Sequence, residues 1–170
     1  MPEKKTLERA KADKRAGKSA STQAGEFVKE QVDRVREGKH GVRSAKQAIA
    51  IGLSEARRAG VELKPPAKGK TNEATRKKTA KDSAVGQSKK KTVAGTESRS
   101  KRSRASTEAL KRESTAGASS AAMSKQAKSA AARRPAASRS AAAKKAAQTK
   151  GAAGRSAAAK KAAKTRAARH

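Results

Sequence analysis

Large apolar side chains are confined to one window of the chain, and their spacing predicts helices. Ala24, Phe27, Val28, Val32 and Val35 recur three and four apart, with Glu26, Lys29, Glu30, Asp33, Arg34 and Arg36 between them. That period puts the apolar set on one face of an amphipathic helix. Ser21 or Thr22 can cap its start, and Gly38 is a natural stop. A second stripe, Ala45, Ala48, Ile49, Gly52, Leu53 and Ala56, opens on Ser44-Ala45-Lys46-Gln47 and closes at Gly60. In this capping box Ser44 accepts from the Gln47 amide while the Gln47 side chain reaches back. The small residues of the stripe let a neighbouring helix approach closely. Gly38 to Arg43 is short enough to fold the two helices into an antiparallel hairpin, with Val61 and Leu63 across its open end. Residues 4–16 alternate in charge, hold Leu7 and several Ala but no apolar stripe, and close at Gly17. They predict a marginal helix.

Beyond Leu63 the pattern changes. Pro65-Pro66 ends any helix. Residues 64–113 are rich in Lys, Thr, Ser and Gly, with dense basic clusters at Lys89–Lys91 and Arg99–Arg104 and a short helix signal from Ser106 to Arg112. Residues 114–170 are low-complexity: Arg139-Ser-Ala-Ala-Ala-Lys-Lys-Ala-Ala-Gln-Thr-Lys150 returns sixteen residues later as Arg155-Ser-Ala-Ala-Ala-Lys-Lys-Ala-Ala-Lys-Thr-Arg166. A weaker copy, Ser129 to Arg134, precedes both. Ala and Lys favour helix, but like charges three and four apart oppose it. Pro135, Gly151 and Gly154 divide the segment into rods of roughly two to three turns. The expected fold is therefore all-α. A charged segment (1–20) precedes a small helical hairpin (21–63) and a basic solvated linker (64–113). The last part is an Ala/Lys-rich tail (114–170), largely disordered, with transient helices that form when phosphates neutralise it.

Composition sets the scale of the core. The 170 residues include no Cys, Trp or Tyr and one Phe, and most of the 34% apolar fraction is Ala. Ordering a residue costs about 1–2 kcal/mol of backbone entropy, which so few large side chains offset only locally. Charge then points to a partner. Lys and Arg number 45 against 14 Asp and Glu, a net of +31; residues 1–63 carry +6, residues 64–170 carry +25, and no acid follows Glu113. A polyanion relieves such self-repulsion. An anionic membrane fits poorly, because the basic segments lack Trp, Phe or Leu along a face and nothing approaches 18 apolar residues. Met1 to Lys18 lacks the apolar region of a secretory signal.

Catalysis finds no support. Without cysteine there are no disulfides or thiolate sites. His40 and His170 lack the partners of a metal site or a general base. Glu26 and Glu30, four apart, read as helix-face carboxylates, and Gly38 to Gly41 lacks phosphate-loop spacing. The chain is read as non-enzymatic, with no cofactor, metal or small-molecule substrate. Phe27, on the apolar face, leaves no base-stacking platform. The hairpin is open to a helix-turn-helix reading, in which residues 44–59 present Lys46, Gln47, Ser54, Arg57 and Arg58 to DNA. Alternatively, Arg57 and Arg58 only complement the helix dipole.

The repeated Ser-Ala-Ala-Ala-basic-basic unit resembles the Lys/Ala-rich C-terminal tails of linker histones and of bacterial histone H1-like proteins over residues 114–170. Ser21 to Val28, Glu37 to Gly41 and Lys46 to Gly60 are similar to a family of small, uncharacterised bacterial proteins with a basic tail. That likeness implies a bacterial origin and a helical fold. Together these features predict a nucleoid-associated, cytoplasmic protein that binds and compacts DNA through its phosphates, without reading sequence. The expected contacts are Lys89, Lys90, Lys91, Arg99, Lys101, Arg102, Arg104, Arg133, Arg134, Arg139, Lys144, Lys145, Arg155, Lys160, Lys161, Lys164 and Arg166. Lys46, Arg57 and Arg58 are expected as secondary contacts. RNA offers the same phosphates, so the alternative is a disordered RNA-associated or stress-protection protein acting on polyanions.

Overall fold

The computed structural model describes residues 2–69, 71–88 and 96–168, and the side chains of all of these but 96–99, 102 and 150. They are helical almost throughout: α1 (Lys4–Arg15), α2 (Ala20–Arg36), α3 (Ala45–Arg58), α4 (Glu73–Gln87), α5 (Thr96–Lys111), a 3-10 turn (Thr115–Ala118), α6 (Ser120–Ala132) and α7 (Ala136–Ala167). The chain divides into two units, residues 1–126 and 127–170.

The predicted hairpin forms, but it is not alone. Helices α2 and α3 pack side by side, and α1 covers the other flank of α2. Ala10, Ala24, Phe27, Ala56 and Val61 make one core cluster, flanked by Leu7, Ala20, Leu53 and Leu63. Val32, Val35, Val42, Ala48 and Ala118 make a second, flanked by Ile51 and Met123. The small residues of α3 set the helix spacing: a Cβ at Gly52 would come within 2.7 Å of the Val28 Cα. Helix α1, expected to be marginal, is fixed by packing of Leu7 and Ala10 rather than by an apolar stripe. It is also pinned at its start, where the Glu3 amide donates to Glu30 Oε1 at 3.0 Å. Glu30, expected on the polar face, is buried and ion-paired with Arg34.

The helix ends follow local chemistry. The N-cap of α2 is Ser19, accepting from the Thr22 amide, rather than Ser21 or Thr22. Ser44 caps α3 as expected, with the Gln47 amide 3.4 Å from its Oγ. The reciprocal bond goes one residue further back, from the Arg43 amide to Gln47 Oε1 at 2.8 Å. Gly38 and Gly60 close α2 and α3 with positive φ. Each donates from its own N–H and from the next residue's to the last-turn carbonyls, the Schellman pattern.

Among the described residues of 64–113, expected as a solvated linker, Glu73–Gln87 and Thr96–Lys111 are helical. Asn72 accepts from the Thr75 amide at 2.8 Å and starts α4, which lies against α3. Asp82 accepts from Ser54 Oγ at 2.7 Å, and a Cβ at Gly86 would meet the Arg57 carbonyl. The end of α5 holds the α2–α3 loop: Gly41 donates to the Leu110 carbonyl, and Val42 to that of Ser114, both at 2.9 Å. Ala118 then enters the second core cluster, where its carbonyl accepts from Arg36 Nε at 3.0 Å.

The last part of the chain overturns the expectation of a largely disordered tail. It is helical in α6 and α7. Fifteen of the 32 residues of α7 are Ala, the strongest helix former. Repulsion is smaller than the overall charge suggests. Within α7 only Lys160–Lys164 and Lys161–Lys164 are like-charged pairs at spacings of three or four, each costing about 0.2–0.5 kcal/mol. Pro135 is the N-cap and Gly151 a kink, at φ 65° and ψ 174°, whereas Gly154 lies within the helix. The rods are therefore about four turns long, not two to three.

Candidate nucleic-acid interface

Acidic residues decide which basic ones are free, and every Asp and Glu lies in residues 1–126. There they neutralise neighbours. Arg9 meets Glu26 at 2.6 Å, Lys29 meets Asp33 at 2.9 Å, Arg43 meets Glu113 at 2.9 Å and Arg76 meets Glu73 at 2.9 Å. Lys18 donates to Asp13 at 2.7 Å, and this bond raises its pKa above the ordinary value. Lys39 is raised in the same way by Glu37.

The helix-turn-helix reading fails here. Helix α3 packs against both α2 and α4, and of its residues Lys46, Ala50 and Arg58 are exposed. Arg57 is buried, at 7% exposure. Arg58 is exposed but donates to the Ser54 carbonyl and hydroxyl, and it faces Asp82 at 3.9 Å. Of the three secondary contacts only Lys46 is exposed without such engagement. Phe27 is fully buried.

Residues 127–170 are the opposite case. They carry thirteen Lys and Arg and no Asp or Glu. Arg133 and Arg134 follow α6, and Arg139, Lys144, Lys145, Arg155, Lys160, Lys161, Lys164 and Arg166 lie along α7; all are exposed. One has an intramolecular partner: Arg155 Nη1 donates to the Ala147 carbonyl at 2.6 Å across the Gly151 kink. The guanidinium thereby caps the helical arm before it. Thr149 and Thr165, equivalent in the repeat, each donate to the carbonyl four residues back at 2.9 Å.

On α5, Lys101 and Arg104 are exposed. Lys89, Lys90 and Lys91 lie outside the described residues, as do the side chains of Arg99 and Arg102. Further exposed cations went unmarked in the sequence, among them Lys77, Lys78 and Lys81 on α4, and Lys125 and Lys128 on α6. The run from Arg76 to Lys81 carries the signal for the first, once α4 is recognised as a helix.

Among the described residues no group of His, Asp and Glu is placed to hold a metal ion, and no helix is long and apolar enough to cross a membrane. Residues 11–69 match a protein family described as a family of unknown function (DUF6496). The matched span runs from within α1 through α2 and α3 and stops before α4, outside the basic helices. No curated protein and no solved structure matches the chain.

Proposed function

We propose that this chain is a non-enzymatic binder of nucleic acid, attached to the phosphate backbone by the helices of residues 127–170 and acting on DNA in the nucleoid. One observation carries the proposal: acidic side chains are confined to residues 1–126, while the basic side chains described in the last unit stand exposed with no carboxylate side chain in that unit. Such cations release condensed counterions when they meet phosphates, and that release drives sequence-independent affinity. Compaction follows if several rods on one chain engage separate stretches of DNA. The helical core of residues 1–126 then acts as the carrier of the basic rods, with Lys46 and the α4 lysines as minor contacts.

The test compares the full chain with a chain ending at Gln126 on two unrelated duplexes of equal length. Truncation removes thirteen Lys and Arg. Affinity is expected to fall by at least about a hundredfold at moderate salt, with no preference between the duplexes before or after. Unchanged affinity, or a strong preference for one duplex, would contradict the proposal.

A further inference from the structure

The repeat and the helix breaks share one register. Pro135, the N-cap of α7, and Gly151, its kink, are sixteen residues apart and occupy the same place in the repeat. Each opens a unit that reads breaker-Ala-Ala-x-Arg-Ser-Ala-Ala-Ala-Lys-Lys-Ala-Ala-x-Thr-basic. The module is thus a straight arm followed by a break. Each arm, 136–150 or 152–167, is about 22 Å long at ~1.5 Å per residue.

The cations do not form a stripe. At ~100° per residue, Lys144 stands about 140° round the axis from Arg139 and Lys145 about 240°. Arg155, Lys160 and Lys161 repeat that arrangement, because the spacing repeats. A rod resting on the outside of a duplex would engage either the Lys-Lys pair or the Arg of each arm and leave the other facing water. A rod between two phosphate walls would offer one lysine of each pair to either wall. Between the cations most side chains are Ala, Ser or Thr, so the arm is slender.

We infer that each arm of α7 lies in the major groove of B-form duplex DNA, with the Lys-Lys pair reaching both phosphate walls and the break at Gly151 letting the next arm follow the groove. This deepens the phosphate-binding proposal and rests on it. The B-form major groove, about 12 Å wide, admits a helix, whereas the minor groove, about 6 Å, does not. The groove winds once per about 34 Å of axis, so a straight rod the length of both arms would leave it. The major groove of A-form RNA is deep and narrow and closes out a helix. The inference therefore selects duplex DNA from the polyanions that charge alone cannot separate.

The full-length protein is titrated onto a DNA duplex of about 30 base pairs, a short one of about 10, and an RNA duplex of the long sequence. The long DNA is expected to bind at least about tenfold tighter than the RNA at equal salt, because the RNA offers one wall instead of two. Methyl green, a major-groove ligand, is expected to be displaced from the DNA, and netropsin, a minor-groove ligand, to be retained. Gly151→Ala favours a continuous helix, since Ala disfavours positive φ. It is expected to weaken binding to the long duplex by about fivefold and to leave the short one, which holds a single arm, unchanged. Salt-dependent binding that is equal on DNA and RNA, or that retains methyl green, overturns the groove inference and leaves phosphate binding intact. A rod lodged between two duplexes would give that second result. Absence of salt-dependent binding to every duplex overturns the proposed function itself.

Discussion

Two glycines in adjacent helices show how a residue's surroundings set the sign of the same substitution. At Gly52 a Cβ would meet the Val28 backbone, with Cα at 2.7 Å and N at 2.8 Å. Overpacking against backbone costs about 1–3 kcal/mol, more than the roughly 1 kcal/mol that Ala gains in helix propensity. Gly52→Ala is expected to lower unfolding stability in urea. At Gly25 nothing lies within 4 Å of the added carbon, so Gly25→Ala is expected to raise stability by up to about 1 kcal/mol. Equal effects at the two sites would contradict the packing described here. Glu30 is a third case, being buried beside Arg34. Glu30→Ala also frees the Glu3 amide and is expected to cost about 3 kcal/mol. The small-residue stripe through Gly52 was legible in the sequence, because its period and its capping box agree. The difference between Arg57 and Arg58 was not. Adjacent arginines look alike in the sequence, yet the fold buries Arg57 and leaves Arg58 exposed.

At the scale of elements, α2 and α3 were legible because apolar periodicity, caps and glycine stops coincide. The bounds of α1 were legible too, but what holds it was not, and α4 was missed altogether, because neither carries a large apolar stripe. Leu7 and Ala10 suffice for α1 because α2 supplies the rest of the surface. Helix α4 is held by Asn72, Asp82 and the close approach at Gly86, signals that mean little before the partner is known. Helix α7 is the instructive error. The expected repulsion between like charges three and four apart is confined in α7 to Lys160–Lys164 and Lys161–Lys164, and neutral residues, most of them Ala, fill the other such positions within the helix. A peptide of residues 135–168 is therefore expected to show a helical far-UV circular dichroism spectrum in water. Ala142→Gly and Ala158→Gly are each expected to reduce that signal, at about 1 kcal/mol per site. A random-coil spectrum would contradict the account of α7.

Over the whole molecule, charge and packing are segregated. The unit of residues 1–126 holds the large apolar residues and all the acids, and the unit of residues 127–170 holds exposed cations. The sequence placed a boundary at Glu113, where the acids end. The structure places it after Gln126, because Ala118 and Met123 belong to the second core cluster. A chain ending at Glu113 is accordingly expected to unfold at lower urea than one ending at Gln126, although both lack α7. Counting charge locates where the acids end, but only packing shows where the core stops.

The proposed function turns on whether the α7 cations meet phosphates. Replacing Lys144, Lys145, Lys160 and Lys161 with Gln keeps good helix formers and removes four charges, leaving residues 1–126 untouched. The measurement is the slope of log affinity against log salt on duplex DNA, for the full chain and this variant. Each lost phosphate contact reduces the slope by about 0.9, so the slope is expected to become shallower by about 3 to 4. An unchanged slope, with the helix intact by circular dichroism, would show that these lysines do not touch the phosphates and that the binding surface lies elsewhere.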